Sequence, residues 1–365
     1  MPERVLTTRE LNRALLARQL LLERSTVSLT DALERVGGLQ TQYAPSGYIG
    51  LWSRLAGFGR GALTEALEER RAVQATLMRS TIHLTSAADF RLLAAGIRRT
   101  RREWWIRVRR KDLAGIDMDA AIARVHALLE ERPRRQAEIL AFLAAEGLPR
   151  IVWDGLGQWV DLVRVPPSGT WERRRADLYG LADDWLGSSS ASEDEGLAHL
   201  VRRYLGGFGP ATLADTASWA GVPATVLRPA ADRLDLRRFR DESGRALLDL
   251  RDAPIPGGDT PAPVRFLPTW DATLLVHARR ALLLPEKYRP LIFSTRTPHS
   301  FPTFLIDGAV TGTWRHVGGR IELHPFEPLS ATVMGELRDE AERLSAFHGD
   351  EADRGDGRQV SQSAS

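Results

Sequence analysis

Two glutamines separated by one residue stand out in the stretch VGGLQTQYAPSG, residues 36–47. A carboxamide is neither a useful acid nor a base, so Gln40 and Gln42 cannot move a proton as a histidine or carboxylate would. A convergent pair can instead hold one water through its carbonyl oxygens. On a helix, positions i and i+2 point to nearly opposite sides, whereas in an extended segment they share a face. Gly37 and Gly38 end one helical pattern and Pro45 suits the start of the next. The pair therefore falls in an extended link, where both amides can converge on one point. The same residues also read as loop amides bonded to backbone. The chain's lysines, Lys111 and Lys287, lie far from this motif in sequence, which disfavours Schiff-base chemistry there.

The elements around the motif follow a grammar used three times, a run of helices and then a β-rich hairpin. In the first run, Thr7 or Thr8 caps a helix, Ser28 or Thr30 opens DALERV, and Pro45 starts a third helix. After a helix near 62–70, AVQATLMRSTIHLTS reads as two strands around a tight turn at Arg79–Ser80. The second run has helices in AAIARVHALLEE and QAEILAFLAAEG, and another near 151–158. A strand over Trp159–Val165 follows, then a PPSG turn and a return from Trp171. The third has GLAHLVRRYLGGFG, a helix–turn–helix across Gly221–Val222–Pro223, and strands around an ESG turn. Helix, helix–turn–helix and hairpin is the winged-helix plan. A Pro/Gly linker at 253–263 leads to VRFLPTWDATLLVH, PTFLIDGAVTGTWRH and RIELHPF. These read as strands of a small barrel or sandwich, followed by a helix over 331–347.

The predicted fold is thus α+β, with three tandem winged-helix units and then a small β-barrel-like domain. The expected bounds are 5–115, 116–187, 195–252 and 264–347, with a disordered tail over 349–365.

Composition narrows the function classes. The absence of cysteine excludes disulfides, zinc fingers, Fe–S clusters and thiol catalysis. The histidines are scattered, and proline disfavours His324-Pro-Phe-Glu327 as a helical metal motif, so neither a metal nor another cofactor is expected. No apolar run reaches the length of a membrane span and MPERVLTTRE lacks a signal-peptide core, which reads as cytoplasmic. Net charge is only +3, but RRTRREWWIRVRRK at 98–111 interleaves Trp104 and Trp105 with seven arginines and one lysine. This is either a solvated helix face with core tryptophans or a surface that tracks phosphates. Trp159, Trp171, Trp185 and Trp219 read as core, and Asp271, Asp307 and Trp314 as structural.

Four stretches, GLQTQ at 38–42, LMRSTIHL at 77–84, RVPPSGTWERR at 164–174, and FLPTWDATLLVHAR with FLIDGAVTGTWR at 266–279 and 304–315, resemble the AlkZ- and AlkX-type winged-helix DNA glycosylases. The resemblance spans residues 5–347. It implies a concave surface that cups double-stranded DNA. It also implies monofunctional hydrolysis of the N-glycosidic bond of N7-alkylated purines, with crosslink unhooking in some members. The family pair is glutamine–aliphatic–glutamine in the AlkZ branch and glutamine–aliphatic–aspartate in the AlkX branch. Gln40 and Gln42 match the former as the implied catalytic pair, with Thr41 in the aliphatic position.

An N7-alkylguanine is cationic and already a good leaving group, so water orientation and carbonyl dipoles near the sugar would suffice. The resemblance places the Arg79 and His83 hairpin near DNA. The expected DNA-binding set is Arg54, Arg79, His83, Arg98, Arg99, Arg102, Arg173, Arg174 and Arg175, though Arg173 to Arg175 also read as a solvated wing and His83 as a satisfied strand histidine. Three units in one chain can cover a duplex as a monomer. Two further readings share the fold: a non-catalytic DNA binder, such as a regulator or lesion sensor, and a protein-interaction scaffold.

Overall fold

The computed structural model describes residues 3–293 and 300–349. The first segment comprises β1 (Val5–Leu6), α1 (Thr8–Arg18), α2 (Leu29–Val36), β2 (Leu39–Gln40), α3 (Pro45–Arg54), α4 (Arg60–Glu68), β3 (Ala72–Thr76) and β4 (Ile82–Ser86). Local signals start and stop these elements. Thr7 and Glu10 form a reciprocal capping box at α1, Ser28 caps α2, and Gly37 closes α2 in the left-handed region at φ 76°. Ser86 then caps α5 (Ala87–Val108), the long helix that leads away from the hairpin.

The second segment runs α6 (Met118–Glu131), β5 (Arg134–Arg135), α7 (Gln136–Ala145), α8 (Ile151–Trp159), β6 (Leu162–Arg164), β7 (Leu178–Leu181) and α9 (Ala182–Leu186). The strand expected from Trp159 starts only at Leu162. Trp159 completes α8, and its ring packs edge-on against Trp105 at 5.5 Å. The return expected at Trp171 is delayed to Leu178 because Trp171 turns inward, against Tyr48 at 5.6 Å and Phe347 at 5.7 Å. The two hairpins are not separate. Antiparallel pairing of β3 with β6, with Ala75 opposite Val163, joins them into one six-stranded sheet of order β2-β4-β3-β6-β7-β5.

The third segment contains α10 (Glu193–Phe208), α11 (Leu213–Ala220), α12 (Ala224–Asp232) and the antiparallel pair β8 (Leu236–Asp241) and β9 (Ala246–Leu250). β1 adds to this hairpin in parallel, Val5 opposite Arg240. Leu6 and Leu11 share a core with Phe239 and Leu247, and Arg18 Nη1 meets Asp249 at 2.6 Å in a fully buried ion pair. The N-terminal strand and helix therefore pack on the third segment. α5 and α10 cross at Gly96 and Gly196, where a Cβ added to Gly96 would stand 2.6 Å from the Gly196 carbonyl carbon.

The last segment holds β10 (Arg265–Leu267), a series of 3-10 turns from Ala272 to Leu282, α13 (Arg289–Ile292), β11 (Thr303–Ile306), β12 (Ala309–Val317), β13 (Arg320–Pro325) and α14 (Ala331–Gly349). The strands expected of a small barrel or sandwich form a four-stranded antiparallel sheet, β10-β11-β12-β13, and no barrel closes among the described residues. Leu337, Ala341, Leu344 and Phe347 of α14 share a core with Phe266, Phe304 and Trp314, so a helix covers what closure would have covered. The first expected strand ends at Leu267 because Pro268 lacks an N–H, and Asp271 then caps a 3-10 turn through the amide of Thr273. From residue 350 onward the expected tail lies outside the described residues.

Candidate active site

β2 places Gln40 opposite His83 of β4, and Thr41 N donates to Ile82 O at 2.8 Å before the chain leaves the sheet. Close approach requires glycine at 38, where an added Cβ would lie 3.0 Å from Thr85 Cγ2 and 3.1 Å from Leu84 O at φ 78°. The Thr41 side chain is buried. Its methyl packs toward Gly47, and its hydroxyl makes no hydrogen bond among the described residues. A threonine thus occupies an aliphatic slot.

The two carboxamides differ in exposure. Gln40 is buried at 8% exposure, while Gln42 is exposed. Both oxygens nevertheless reach the same hairpin turn. Arg79 Nη2 donates to Gln40 Oε1 at 3.0 Å, and Ile82 N donates to Gln42 Oε1 at 3.3 Å. Guanidinium and backbone N–H can only donate, so each amide must face the turn with its oxygen. One lone pair on each oxygen is used and one is left.

Arg79 itself is held from the third segment. Its Nη1 donates to Trp219 O at 2.7 Å, and Gly221 at φ 70° lets the α11–α12 turn come close, an added Cβ there standing 3.3 Å from Arg79 N. Arg79 and Ser80 adopt left-handed backbone, φ 52° and 58°. Burial lowers the Arg79 guanidinium to about 10, which leaves it charged at neutral pH. His83 is buried, with Nδ1 3.0 Å from Thr81 O. A carbonyl accepts, so the proton sits on Nδ1. Burial first, and then the Arg79 charge, pushes His83 down to about 3. His277 lies further in, edge-on to Phe208 at 5.0 Å. Neither of its ring nitrogens has a partner among the described residues, and burial holds it well below the ordinary imidazole range. The site therefore offers oriented amides, one half-buried cation and neutral imidazoles, and among the described residues no carboxylate is hydrogen-bonded to either glutamine.

The family model described as DNA glycosylase AlkZ-like matches residues 33–347. The chain belongs to this family and is a DNA glycosylase. The Streptomyces sahachiroi DNA glycosylase AlkZ has a similar fold, with a TM-score of 0.77 at 18% identity over 94% of this chain and 97% of that one. No curated protein matches.

Within this glycosylase, the arginines expected on DNA divide sharply. Arg54 is corrected outright: it is fully buried, its Nη1 3.0 Å from Asp271 Oδ2, and cannot reach a phosphate. His83 is buried too and is likewise withdrawn from the phosphate set. Arg98 pairs with Asp161, Arg99 with Glu193 at 2.8 Å, and Arg102 with Asp119 at 2.7 Å. All three pairs lie at the surface, with the arginine side chains 49%, 56% and 39% exposed. Arg175 meets Asp177 at 3.0 Å, while Arg173 is exposed with no side-chain partner among the described residues. Arg174 Nη1 donates to the Tyr43 hydroxyl at 3.0 Å, which brings the second hairpin loop beside Gln42.

Tyr43, 44% exposed, was missed by reasoning on charge alone. Arg107, Arg110 and Lys111, part of the cationic stretch at 98–111, are exposed at and just beyond the end of α5 and form no ion pair among the described residues. Near them Trp105 is core and Trp104 is 49% exposed. Helical register hints at the split, but the acidic partners of Arg98, Arg99 and Arg102 come from later segments. Among the described residues no group of three His, Cys, Asp or Glu is placed to hold a metal, and no helix is long and apolar enough to cross a membrane.

Proposed function

We propose that this glycosylase hydrolyses the N-glycosidic bond of N7-alkylated purines in double-stranded DNA, crosslinked purines included. Its three helical segments act as winged helices, and it works as a monofunctional enzyme, a monomer in the cytoplasm. Gln40 and Gln42 position the attacking water. The observation that supports this reading is the pair of donors at one hairpin turn, Arg79 Nη2 and Ile82 N, each donating to one carboxamide oxygen. The remaining lone pairs accept from a water approaching on the exposed Gln42 side. A carboxamide already bonded to a guanidinium is a poorer base than a free one. Such a site suits only a leaving group that departs without help, and a cationic alkylpurine meets that condition.

The test is a duplex carrying a single 7-methylguanine, with a nitrogen-mustard crosslink as the second substrate, scored for heat-labile abasic sites. Wild-type enzyme should give product. Gln40→Ala and Gln42→Ala should each lower the single-turnover rate by roughly 10²-fold with duplex affinity kept. Tight binding with no product on either substrate would leave only a lesion sensor.

A further inference from the structure

On the other side of the sheet from Gln40, between β3, α5, α8 and β6, lies a cavity of about 280 Å³. Two arginines line it from different segments. Arg101 of α5 donates from Nε to Gln158 Oε1 at 3.1 Å, from Nη1 to Thr76 O at 2.9 Å and from Nη2 to Gly157 O at 3.1 Å. Arg164 of β6 donates from Nη2 to Thr76 Oγ1 at 2.9 Å, and its guanidinium carbon stands 5.1 Å from the Tyr179 ring centre.

Every one of these partners is neutral, and both cations end on the same residue, Thr76. The acids that line the cavity are Asp154 and Asp161. Asp161 is bound to Arg98, and Asp154 lies 3.8 Å from Arg150. Neither Arg101 nor Arg164 forms an ion pair among the described residues. Arg164 is buried at 7% exposure, and its Nε, sealed from solvent, has no hydrogen-bond partner. A buried guanidinium without an ion-pair partner is costly to keep charged. Desolvation accordingly lowers both guanidinium pKa values, Arg101 to about 10, and the nearby Asp161 charge offsets only part of this at Arg101.

We propose that this cavity is an oxyanion site that binds a phosphate group between Arg101 and Arg164. Each guanidinium keeps N–H donors beyond those it uses within the protein, and a tetrahedral phosphate oxyanion can accept from both at once. The phosphate belongs either to a DNA backbone or to a small free phosphate ester. The site is independent of the water-positioning role of Gln40 and Gln42.

Inorganic phosphate titrated into the full chain at low ionic strength, followed by calorimetry, tests this. One phosphate should bind per chain in wild type, and Arg164→Gln should weaken it at least tenfold. Arg101→Gln should do the same. Because Arg101 also ties α8 to β3, Arg164→Gln is the deciding variant, and its circular dichroism and unfolding midpoint show whether it folds. Arg164→Lys should retain partial binding. No saturable heat up to about 10 mM phosphate, or equal binding by wild type and a folded Arg164→Gln, overturns the proposal. An undamaged duplex then separates the sources. Displacement of phosphate by the duplex assigns the site to a backbone phosphate, and simultaneous binding assigns it to a free ester.

Discussion

Arg79 holds the site together at the scale of single residues. It spans from Gln40 to the Trp219 carbonyl while its own backbone sits in a region that non-glycine residues seldom occupy. If its role is to aim Gln40, Arg79→Lys should fail as Arg79→Ala does, because an ammonium lacks the planar fork. Both should lower the excision rate constant by roughly tenfold or more with KM little changed. In a Gln40→Ala background, Arg79→Ala should add almost nothing. Rates that multiply would assign Arg79 a separate role.

Thr41 gives the opposite case. Its hydroxyl is buried without a partner while its methyl fills the space. Thr41→Val should therefore raise stability by about 1 kcal/mol, read from urea unfolding, with excision retained. The break between α2 and α3 was legible because glycine and proline act locally, but the extended segment stops at Gln40 and Gln42 lies in a bend. The fate of Arg54 was not, since its partner Asp271 arrives from a distant segment.

At the scale of elements, capping boxes and left-handed glycines made helix ends readable, and the hairpin around Arg79–Ser80 appears as the alternation suggested. What stayed hidden is pairing between segments. Nothing in the local pattern of Val5–Leu6 names β8 as its neighbour, and nothing in Ala75 names Val163. The choice between barrel and sandwich also stayed open, because β-propensity does not tell whether the last face meets a strand or a helix. The α5–α10 crossing is a contact of the same long-range kind. Backbone meets backbone at Gly96 and Gly196, leaving no room for a methyl group. Gly96→Ala would gain helix propensity of about 1 kcal/mol on an isolated helix. Here overpacking, about 1–3 kcal/mol, should outweigh it, and the variant should unfold at lower urea than wild type. An unchanged or higher midpoint would mean that the two helices can part without cost.

At the scale of the whole molecule, buried imidazoles make stability and catalysis respond differently to pH. His83 has a folded pKa of about 3, set by burial and then by Arg79, and His277 and His348 are lowered for the same first reason. In the unfolded chain these rings titrate near 6.5. Their contribution is thus complete above about pH 6.5 and is lost as pH falls toward the folded values, because the unfolded state takes up protons that the folded state refuses. A fully buried ring such as His83 can contribute a slope of up to about 1.4 kcal/mol per pH unit in that window. Carboxylates held low, such as Asp241 at about 2, begin to lose their stabilisation only below about pH 5, where unfolded carboxyls start to protonate. The interval from pH 7 to 5 therefore isolates the histidines. Urea midpoints should fall across it in wild type and fall less steeply in His83→Gln, whatever that variant's starting stability. The excision rate constant, measured where the enzyme stays folded, should remain flat over the same interval, since neither carboxamides nor a permanently neutral His83 titrate there. An acid limb near pH 6.5 in the rate of a folded enzyme would hand the chemistry to an imidazole and remove it from the glutamines.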